Sequence, residues 1–235
     1  MDEIYSLLAE RQASGVKALP EPDCKAVLGA VGVCVPASRL INDIAQVTEA
    51  VSALRAPLVL KVVSESVVHK SDFGGVLLKL QTSEDVQKGI ANMKANLATK
   101  GVDANSWLIE EMVTSGLEMV VGALRDPEFG PMVMVGFGGI FVEVNQDVSF
   151  RLCPISSKDA REMIDELRSV SLLKGARGTK PTNIDELVNV LMRVGSEDGL
   201  MMSYPELIHE IDLNPLIVNS ESAVAVDARI IFRSP

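Results

Sequence analysis

The chain has 235 residues, 47% of them hydrophobic and only 4% aromatic, which suits one large domain or two small lobes with an aliphatic core. Its 22 Lys and Arg residues against 32 Asp and Glu residues give a net charge of −10. This acidity argues against nucleic acid or an anionic membrane surface as the main partner, because both are recognised by basic patches. Phosphate ligands stay open, since a few local groups are enough to hold them.

The cysteines and the N-terminus indicate the compartment. Cys24, Cys34 and Cys153 form no CxxC pair, and their odd number argues against a secreted disulfide framework. Residues 1–12 are acidic where a signal peptide would be basic. The longest apolar stretch, residues 26–37, is broken by two glycines and a proline and is too short to span a bilayer. We therefore expect a cytoplasmic protein without a membrane segment.

Hydrophobic periodicity and turn residues predict helices and strands that are mixed along the whole chain. The predicted helices are 2–13, 23–31, a segment that Asn42 or Asp43 caps and Pro57 ends, and three that begin at the capping boxes Thr82/Asp85, Ser156/Asp159 and Thr182/Asp185. The predicted strands are 33–35, 58–63, 76–80, 107–113, 117–124, two halves of 131–144 around a glycine pair, 149–155, and a closing hairpin-like pair, 206–219 and 222–232. This order defines an α/β (α+β) fold class.

Lys61 stands inside the run LVLKVV (58–63), which is typical of a buried strand. A lysine there is costly unless its ammonium meets an anion. Two interpretations remain open: a clamp on a phosphate group, or a lysine at a strand end that reaches solvent.

His69 lies in the polar segment 64–75, which ends in Gly74 and Gly75. Glycines let backbone N–H groups approach phosphate oxygens, and a histidine that titrates near neutral pH can carry a proton or accept a phosphoryl group. An exposed loop histidine is the other interpretation. His209 has no such loop, and we interpret it as structural.

Asp212, Asn214 and Asp227 are candidate metal ligands. The first two, in EIDLNP, point to one face of a predicted strand, and the third adds an oxygen from the adjoining VDAR. Mg²⁺ takes few protein oxygens together with phosphates and water, so the set suits a Mg–nucleotide. Turn chemistry remains the alternative, because Asn–Pro favours turns.

Two further segments could contact a nucleotide. Two acidic residues close one strand in IEEMVTSGLE (109–118), and Glu118 opens the next, which could form a hinge that binds a base and a ribose. The segment FGGIFVE (137–143) indicates either a close backbone approach or a bulge.

Taken together, these segments resemble a known family. VLKVVSESVVHKSDFGGV, EEMVTSGLEMVVGALRDPEFGPMVMVGFGGIFVEVNQDVSFRLCPI and EIDLNPLIV with VDARI are similar to the ATP-grasp β subunit of the ADP-forming acyl-CoA (acetyl-CoA) synthetases. The resemblance covers residues 18–232, with the motifs in the same order. It implies an ATP-grasp fold with nucleotide in the cleft between two lobes, a smaller one at 21–108 and a larger one, 1–20 with 109–235, that carries the Mg–nucleotide site.

The resemblance also implies a reaction and a partner. The family makes ATP from acyl-CoA, ADP and phosphate, reversibly, and releases the acid and CoA. A separate CoA-binding α subunit carries the histidine that is phosphorylated first, so this chain would be an acid–thiol ligase only together with that partner, in a heterotetramer.

Residue by residue, the resemblance assigns His69 as the phosphoryl carrier between the partner and the nucleotide. The other assignments are Lys61, Gly74, Gly75, Glu111, Val113 and Glu118 for ATP or ADP, and Asn214 and Asp227 for Mg²⁺. Phe137 and Cys153 depart from the family pattern, and neither carries chemistry.

Three alternatives stay open. An ATP-grasp carboxylate–amine ligase forms an acyl phosphate and needs no carrier histidine. A non-catalytic, nucleotide-binding regulatory module would need none of the chemistry. The ATP-grasp portion of a protein-modifying acetyltransferase is disfavoured, because the chain carries no acetyltransferase segment.

Overall fold

The computed structural model describes residues 3–64, 73–139, 147–176 and 180–234. The helices are α1 Glu3–Ala13, α2 Glu21–Ala30, α3 Val47–Ser52, α4 Ser83–Thr99, α5 Ser157–Asp165, α6 Val170–Leu173, α7 Ile184–Gly195 and α8 Leu200–Ser203. The strands are β1 Ser38–Ile41, β2 Leu58–Val62, β3 Val76–Leu80, β4 Trp107–Glu111, β5 Leu117–Asp126, β6 Gly130–Phe137, β7 Val148–Leu152, β8 Ile208–Val218, β9 Ala223–Ala225 and β10 Ala228–Phe232. Among these described helices, none has both the length and the apolar character needed to cross a membrane.

The chain folds as two compact units, residues 36–114 and residues 1–35 with 115–235. The sequence placed the smaller lobe at 21–108, so both of its boundaries differ from those of the smaller unit. Residues 21–35 belong to the larger unit because α2 packs on β10 there. The apolar residues of this segment, Cys24, Val27, Leu28 and Val33, are buried in the core of the larger unit.

The smaller unit is built on a four-stranded antiparallel sheet in the order β1-β4-β2-β3. Helices α3 and α4 pack against it, and their apolar sides bury Val47, Val86 and Ile90 with alternate strand residues. The predicted capping box begins α4: the Thr82 hydroxyl accepts the Asp85 N–H at 3.1 Å, and the Asp85 carboxylate accepts the Thr82 N–H at 3.0 Å.

The larger unit is built on a six-stranded antiparallel sheet in the order β10-β8-β5-β6-β7, with β9 pairing β8. Helix α7 packs across β5, β6 and β8, and α5 packs on β6 and β7. The closing pair that the sequence predicts is present, since β8 pairs with both β9 and β10. This sheet therefore has one face covered by helices and another on which functional side chains can lie.

Local predictions fail where a distant partner intervenes. The capping box at Ser156 and Asp159 is confirmed, but α7 is capped by Asn183, whose side chain accepts the Glu186 N–H, and not by Thr182. The Thr182 hydroxyl instead donates to the Leu173 carbonyl at 3.1 Å. The strand predicted at 33–35 is reduced to a bridge between Cys34 and Val224. The second half of 131–144 lies largely outside the described residues.

Candidate functional site

Lys61 lies on β2 beside a carboxylate of the neighbouring strand. The β2–β4 register places Val59 opposite Glu110 and Lys61 opposite Leu108, so Lys61 and Glu110 are diagonal neighbours on one face. Lys61 Nζ is 2.9 Å from Glu110 Oε2, and the two side chains are only 5% and 1% exposed. The other face of β2 fills the hydrophobic core. The interpretation of Lys61 as a lysine that reaches solvent is therefore wrong.

Glu110 is the residue that sequence reasoning missed. Its signal is a carboxylate that directly follows the apolar residues of the strand WLIEE, on a chain that also buries a lysine in a strand. A buried ammonium and a buried carboxylate stabilise each other only as a pair, because each alone would carry a large desolvation cost. A phosphate group that approached Lys61 would share the ammonium with Glu110.

Glu111, the predicted hinge residue, has a different partner. Its Oε1 accepts the backbone N–H of Arg55 at 3.0 Å and the Arg55 Nε–H at 3.3 Å. Burial raises the pKa of the Glu111 carboxyl, but these hydrogen bonds outweigh burial and bring the pKa below its ordinary value. Val113, the other predicted hinge residue, follows two positions later and is half-buried. Of the two adjacent glutamates, Glu110 is therefore the one beside Lys61.

The glycine pair of the smaller unit lies close to Lys61. The Gly75 carbonyl accepts the Val62 N–H at 2.9 Å, and the next residue, Val76, pairs with Lys61 in the β2–β3 register. Gly74 has a φ of +68°, which a residue with a side chain rarely adopts. The structure thus brings Gly74 and Gly75 to the strand position of the buried lysine.

His69, the predicted phosphoryl carrier, lies outside the described residues, which stop at Ser64 and resume at Phe73. Its role stays a prediction. His209, the histidine interpreted as structural, is exposed on β8.

Glu118 opens β5 and is held against the glycine pair that follows β6. The Gly138 N–H donates to the Glu118 carbonyl at 2.7 Å. A Cβ atom on Gly138 would lie 3.1 Å from the Glu118 carbonyl carbon, and one on Gly139 would lie 3.0 Å from Glu118 Oε2. Gly139 also has a φ of +63°. The close backbone approach predicted for this segment is present, and it is made to the backbone of Glu118, the predicted ribose-side residue.

Asn214 on β8 and Asp227, directly before β10, lie close together in the larger unit. Leu213 pairs with Ala228, and each of the two candidate ligands is one residue beyond that pair. The strand β8 spans Ile208–Val218, but its pairing with β5 shifts register between Leu213 and Leu216. Asn214 therefore lies in an irregularity within a strand and not in a turn between two strands. Asp227 Oδ1 accepts the Ala228 N–H at 2.9 Å, which fixes the carboxylate at the start of β10.

Asp212 lies two residues before Asn214 and opposite Arg229. The pKa of the Asp212 carboxyl is raised, mainly by burial. The positive charge of Arg229 lowers the pKa, whereas the negative charges of Glu210 and Asp227 raise it further. Arg229 is itself shared, since its Nη2 is 2.9 Å from Glu210 Oε1. We call the place where Asp212, Asn214 and Asp227 lie the candidate metal edge. A cation there would offset the surplus of negative charge.

The donors at this edge fit Mg²⁺ and no softer metal. They are an amide oxygen and carboxylate oxygens, the hard ligands that Mg²⁺ prefers, and they are few, which leaves positions for phosphates and water. Within the described ranges, no group of three or more His, Cys, Asp or Glu side chains could hold a metal ion by itself. The edge therefore suits a metal that arrives together with a nucleotide.

Comparison with known proteins identifies the class of protein to which the chain belongs. A family model described as an ATP-grasp domain matches residues 10–232, nearly the whole chain, which confirms the fold class that the sequence predicts. The chain is 39% identical to the acetate–CoA ligase [ADP-forming] I subunit beta of Pyrococcus furiosus over 96% of each chain. The chain belongs to this family of ADP-forming acetate–CoA ligase β subunits, as the resemblance implied.

Two further relatives add detail about the family. The acetate–CoA ligase [ADP-forming] I of Archaeoglobus fulgidus is 38% identical over 98% of this chain, but the match covers only 33% of that longer protein. A solved structure of acetyl-coenzyme A synthetase 1 from Ca. Korarchaeum cryptofilum matches 98% of this chain and 100% of its own, with a TM-score of 0.84 and 38% identity. That structure contains coenzyme A and Mg-AMPPCP, with a phosphohistidine segment that points towards the nucleotide binding site.

Proposed function

We propose that this chain is the nucleotide-binding β subunit of a cytoplasmic, ADP-forming acyl-CoA (acetyl-CoA) synthetase. With a CoA-binding α subunit, in a heterotetramer, it makes ATP from acyl-CoA, ADP and phosphate and releases the acid and CoA, and the reaction is reversible. The observation that carries the proposal is the match over 96% of both chains to a protein named as such a β subunit. The buried lysine and the paired oxygen ligands supply the chemistry that this role requires.

In the smaller unit, Lys61 neutralises phosphate charge. Phosphoryl transfer depends mainly on positioning and on charge neutralisation, and a lysine held by burial and by Glu110 at 2.9 Å is fixed before the nucleotide arrives. Gly74 and Gly75 leave room for phosphate oxygens at the same strand position. We assign the hinge around Glu111 and Val113 to the base, with Glu110 the carboxylate nearest the phosphate-side lysine.

In the larger unit, Asn214 and Asp227 hold Mg²⁺ and Glu118 accepts hydrogen bonds from the ribose hydroxyls. When bound, Mg²⁺ would offset the negative charge that develops on the phosphate groups. The Ala228 N–H fixes the Asp227 carboxylate, and the glycine pair at 138–139 fixes Glu118. ATP and ADP are therefore substrates that bring most of the metal's ligands with them.

His69 carries the phosphoryl group between the two subunits. An unprotonated imidazole nitrogen attacks the phosphorus of the partner's phosphohistidine; one P–N bond forms on His69 as the other breaks. A terminal phosphate oxygen of ADP then attacks the same phosphorus, the P–N bond on His69 breaks, and ATP leaves with a neutral imidazole behind. Because a protonated imidazole cannot attack, turnover falls on the acid side as His69 becomes protonated.

The test compares the two histidines of the chain in the complex with the α subunit. His69→Ala and His69→Asn should abolish ATP formation from acetyl-CoA, ADP and phosphate, while calorimetry shows unchanged ADP binding. His209→Ala, at an exposed position on β8, is the matched control and should keep wild-type turnover. Full turnover in His69→Ala would reject the carrier and favour direct transfer, as in a carboxylate–amine ligase.

A further inference from the structure

Strand β7 of the larger unit turns polar side chains inwards and apolar side chains outwards. The Ser149 hydroxyl donates to Glu166 Oε2 at 2.6 Å, and Arg151 Nη1 donates to the same oxygen at 3.0 Å, so both side chains face the end of α5. The alternate residues Phe150 and Leu152 point away from the helices and are 46% and 55% exposed. A sheet with one face in water shows the reverse pattern, with polar residues outside.

The neighbouring strands extend this surface. Leu152 pairs with Met132, which pairs in turn with Leu124, and Phe150 pairs with Met134. The residues between them on β6 point into the hydrophobic core. We call these five side chains, Leu124, Met132, Met134, Phe150 and Leu152, the outer apolar face. Contiguous apolar patches of this kind mark surfaces that another protein covers.

The position of β7 adds to the need for a cover. Among the described strands, β7 stands at the end of the larger sheet, paired only with β6. An edge strand whose exposed side chains are apolar is a hazard for self-association, and proteins protect such edges with charges or cover them. Phe150 and Leu152 provide no charge on the outer side. The outer apolar face is therefore built to be covered in the assembled enzyme.

The outer apolar face is continuous with the candidate metal edge. A hollow of about 150 Å³ in the sheet face is lined by Met134 and Phe150 on one side and by Glu210 and Asp212 on the other. Asp212 lies two residues before Asn214 on the same strand. Whatever covers the outer apolar face therefore lies beside the nucleotide's metal ligands.

We infer that the outer apolar face is the docking surface for the CoA-binding α subunit; this assignment rests on the proposed function. In the Archaeoglobus fulgidus relative this domain is 33% of one longer chain, so there the remaining part is permanently attached. In a two-chain enzyme the same contact must be made without a covalent link, and a stable interface of that kind has an apolar core. A partner docked here also lies beside Asn214 and Asp227, where His69 delivers the phosphoryl group to the nucleotide. The complementary surface on the partner is apolar at its centre, with a polar rim towards Glu210.

The test is a charge introduced into this face and a matched charge elsewhere. Leu152→Glu should weaken binding of the purified α subunit by about 10- to 100-fold, on the scale of a residue central to an interface. Leu78→Glu is the control, because Leu78 is equally exposed, at 56%, on β3 of the smaller unit. The affinity of the Leu78→Glu chain for the α subunit should stay within about twofold of wild type. Phe150→Ser, a milder change, should follow Leu152→Glu in direction, with thermal unfolding and Mg–ADP affinity of the isolated chain unchanged.

The outcomes separate this assignment from the proposed function. Wild-type affinity for the α subunit in both Leu152→Glu and Phe150→Ser overturns the docking surface and leaves the proposed function intact. A dimer of the isolated chain that dissociates in Leu152→Glu, with α affinity unchanged, assigns the face to a second copy. Loss of Mg–ADP affinity with α affinity unchanged assigns it to nucleotide binding. Failure of the wild-type chain to bind the α subunit overturns both proposals.

Discussion

The two units hold their candidate ligand groups in opposite ways. In the smaller unit, Lys61 and Glu110 are a buried ion pair with side chains 5% and 1% exposed. In the larger unit, Asn214 on β8 is exposed and Asp227, directly before β10, is half-buried. A buried ion pair is part of the fold, because removing one partner takes away the opposite charge that offsets the burial of the other, whereas exposed ligands add little to stability. Substitutions at the two places should therefore separate stability from binding.

Lys61→Ala should cause the largest loss. It leaves the Glu110 carboxylate buried without the ammonium at 2.9 Å, and breaking such a pair costs about 3–5 kcal/mol. The measurement is urea unfolding followed by Trp107 fluorescence, which reports on the smaller unit. Lys88→Ala is the control, because the Lys88–Glu84 pair on α4 is 69% and 75% exposed and should contribute about 0.5 kcal/mol or less. Equal, small losses in both variants would contradict a stabilising buried ion pair at Lys61.

Asn214→Ala and Asp227→Asn should leave stability almost unchanged and weaken Mg–ADP binding. Substitutions of residues around a bound metal cost about 10- to 100-fold in affinity, and loss of a direct ligand should cost at least as much. Asp227→Asn keeps an oxygen that can accept the Ala228 N–H, so the local backbone is preserved. Calorimetry with Mg–ADP is the measurement, and Glu206→Gln, whose side chain is 88% exposed, is the control. Unchanged affinity in both variants would remove the metal assignment.

Gly139→Ala should have a smaller effect on binding, of about three- to tenfold, because it forces the backbone from a φ of +63° and crowds the Glu118 carboxylate. Gly130→Ala is the matched control: its φ is +80°, but a Cβ atom there meets nothing within 4 Å. Both variants should lose similar stability, and only Gly139→Ala should weaken ADP binding. If Gly130→Ala weakens ADP binding as much, the effect is general strain and not the position of Glu118.

The ion pair between Arg151 and Glu166 is intermediate in solvent exposure between the buried Lys61–Glu110 pair and the exposed metal ligands of the larger unit. Hydrogen bonds from the Arg151 guanidinium and the Ser149 hydroxyl lower the pKa of Glu166 from 4.5 to about 2. A carboxyl whose pKa is lower in the folded state stabilises the fold above its unfolded pKa and loses that contribution as the pH falls through the folded value. The denaturant midpoints of wild type and Glu166→Gln should therefore differ at pH 6 and converge towards pH 2. A difference that stays constant across this range would contradict the pKa shift.

Residues that act locally could be predicted from the sequence, and those that depend on distant partners could not. The capping boxes at Thr82 and Ser156 were predicted because all their atoms lie within one turn. The sequence predicts the cap of α7 at Thr182, which is wrong because the Thr182 hydroxyl donates to the Leu173 carbonyl. The boundary at Pro36 was missed because α2 packs on β10, at the far end of the chain.

The candidate site shows the same division. The apolar run around Lys61 predicted burial, but the choice between Glu110 and Glu111 depends on which face of β4 each occupies. Adjacent strand residues point to opposite faces, and WLIEE gives no clear phase because four of its five residues are buried. Alternation of apolar and polar residues along β7 predicts that Phe150 and Leu152 face the core. In the structure they face outwards, because Ser149 and Arg151 are turned inwards by their hydrogen bonds to Glu166.

The most direct test of the phosphoryl relay is to trap the label on this chain. The complex with the α subunit is incubated with acetyl-CoA and radiolabelled phosphate, ADP is withheld, and the two subunits are separated in alkali. Acid-labile label is expected on the wild-type chain and on His209→Ala, and none on His69→Ala, whose α subunit is still labelled. Addition of ADP to a parallel sample that has not been separated should move the label from the wild-type chain into ATP. Label on the His69→Ala chain, or ATP formation by it at the wild-type rate, would contradict the account.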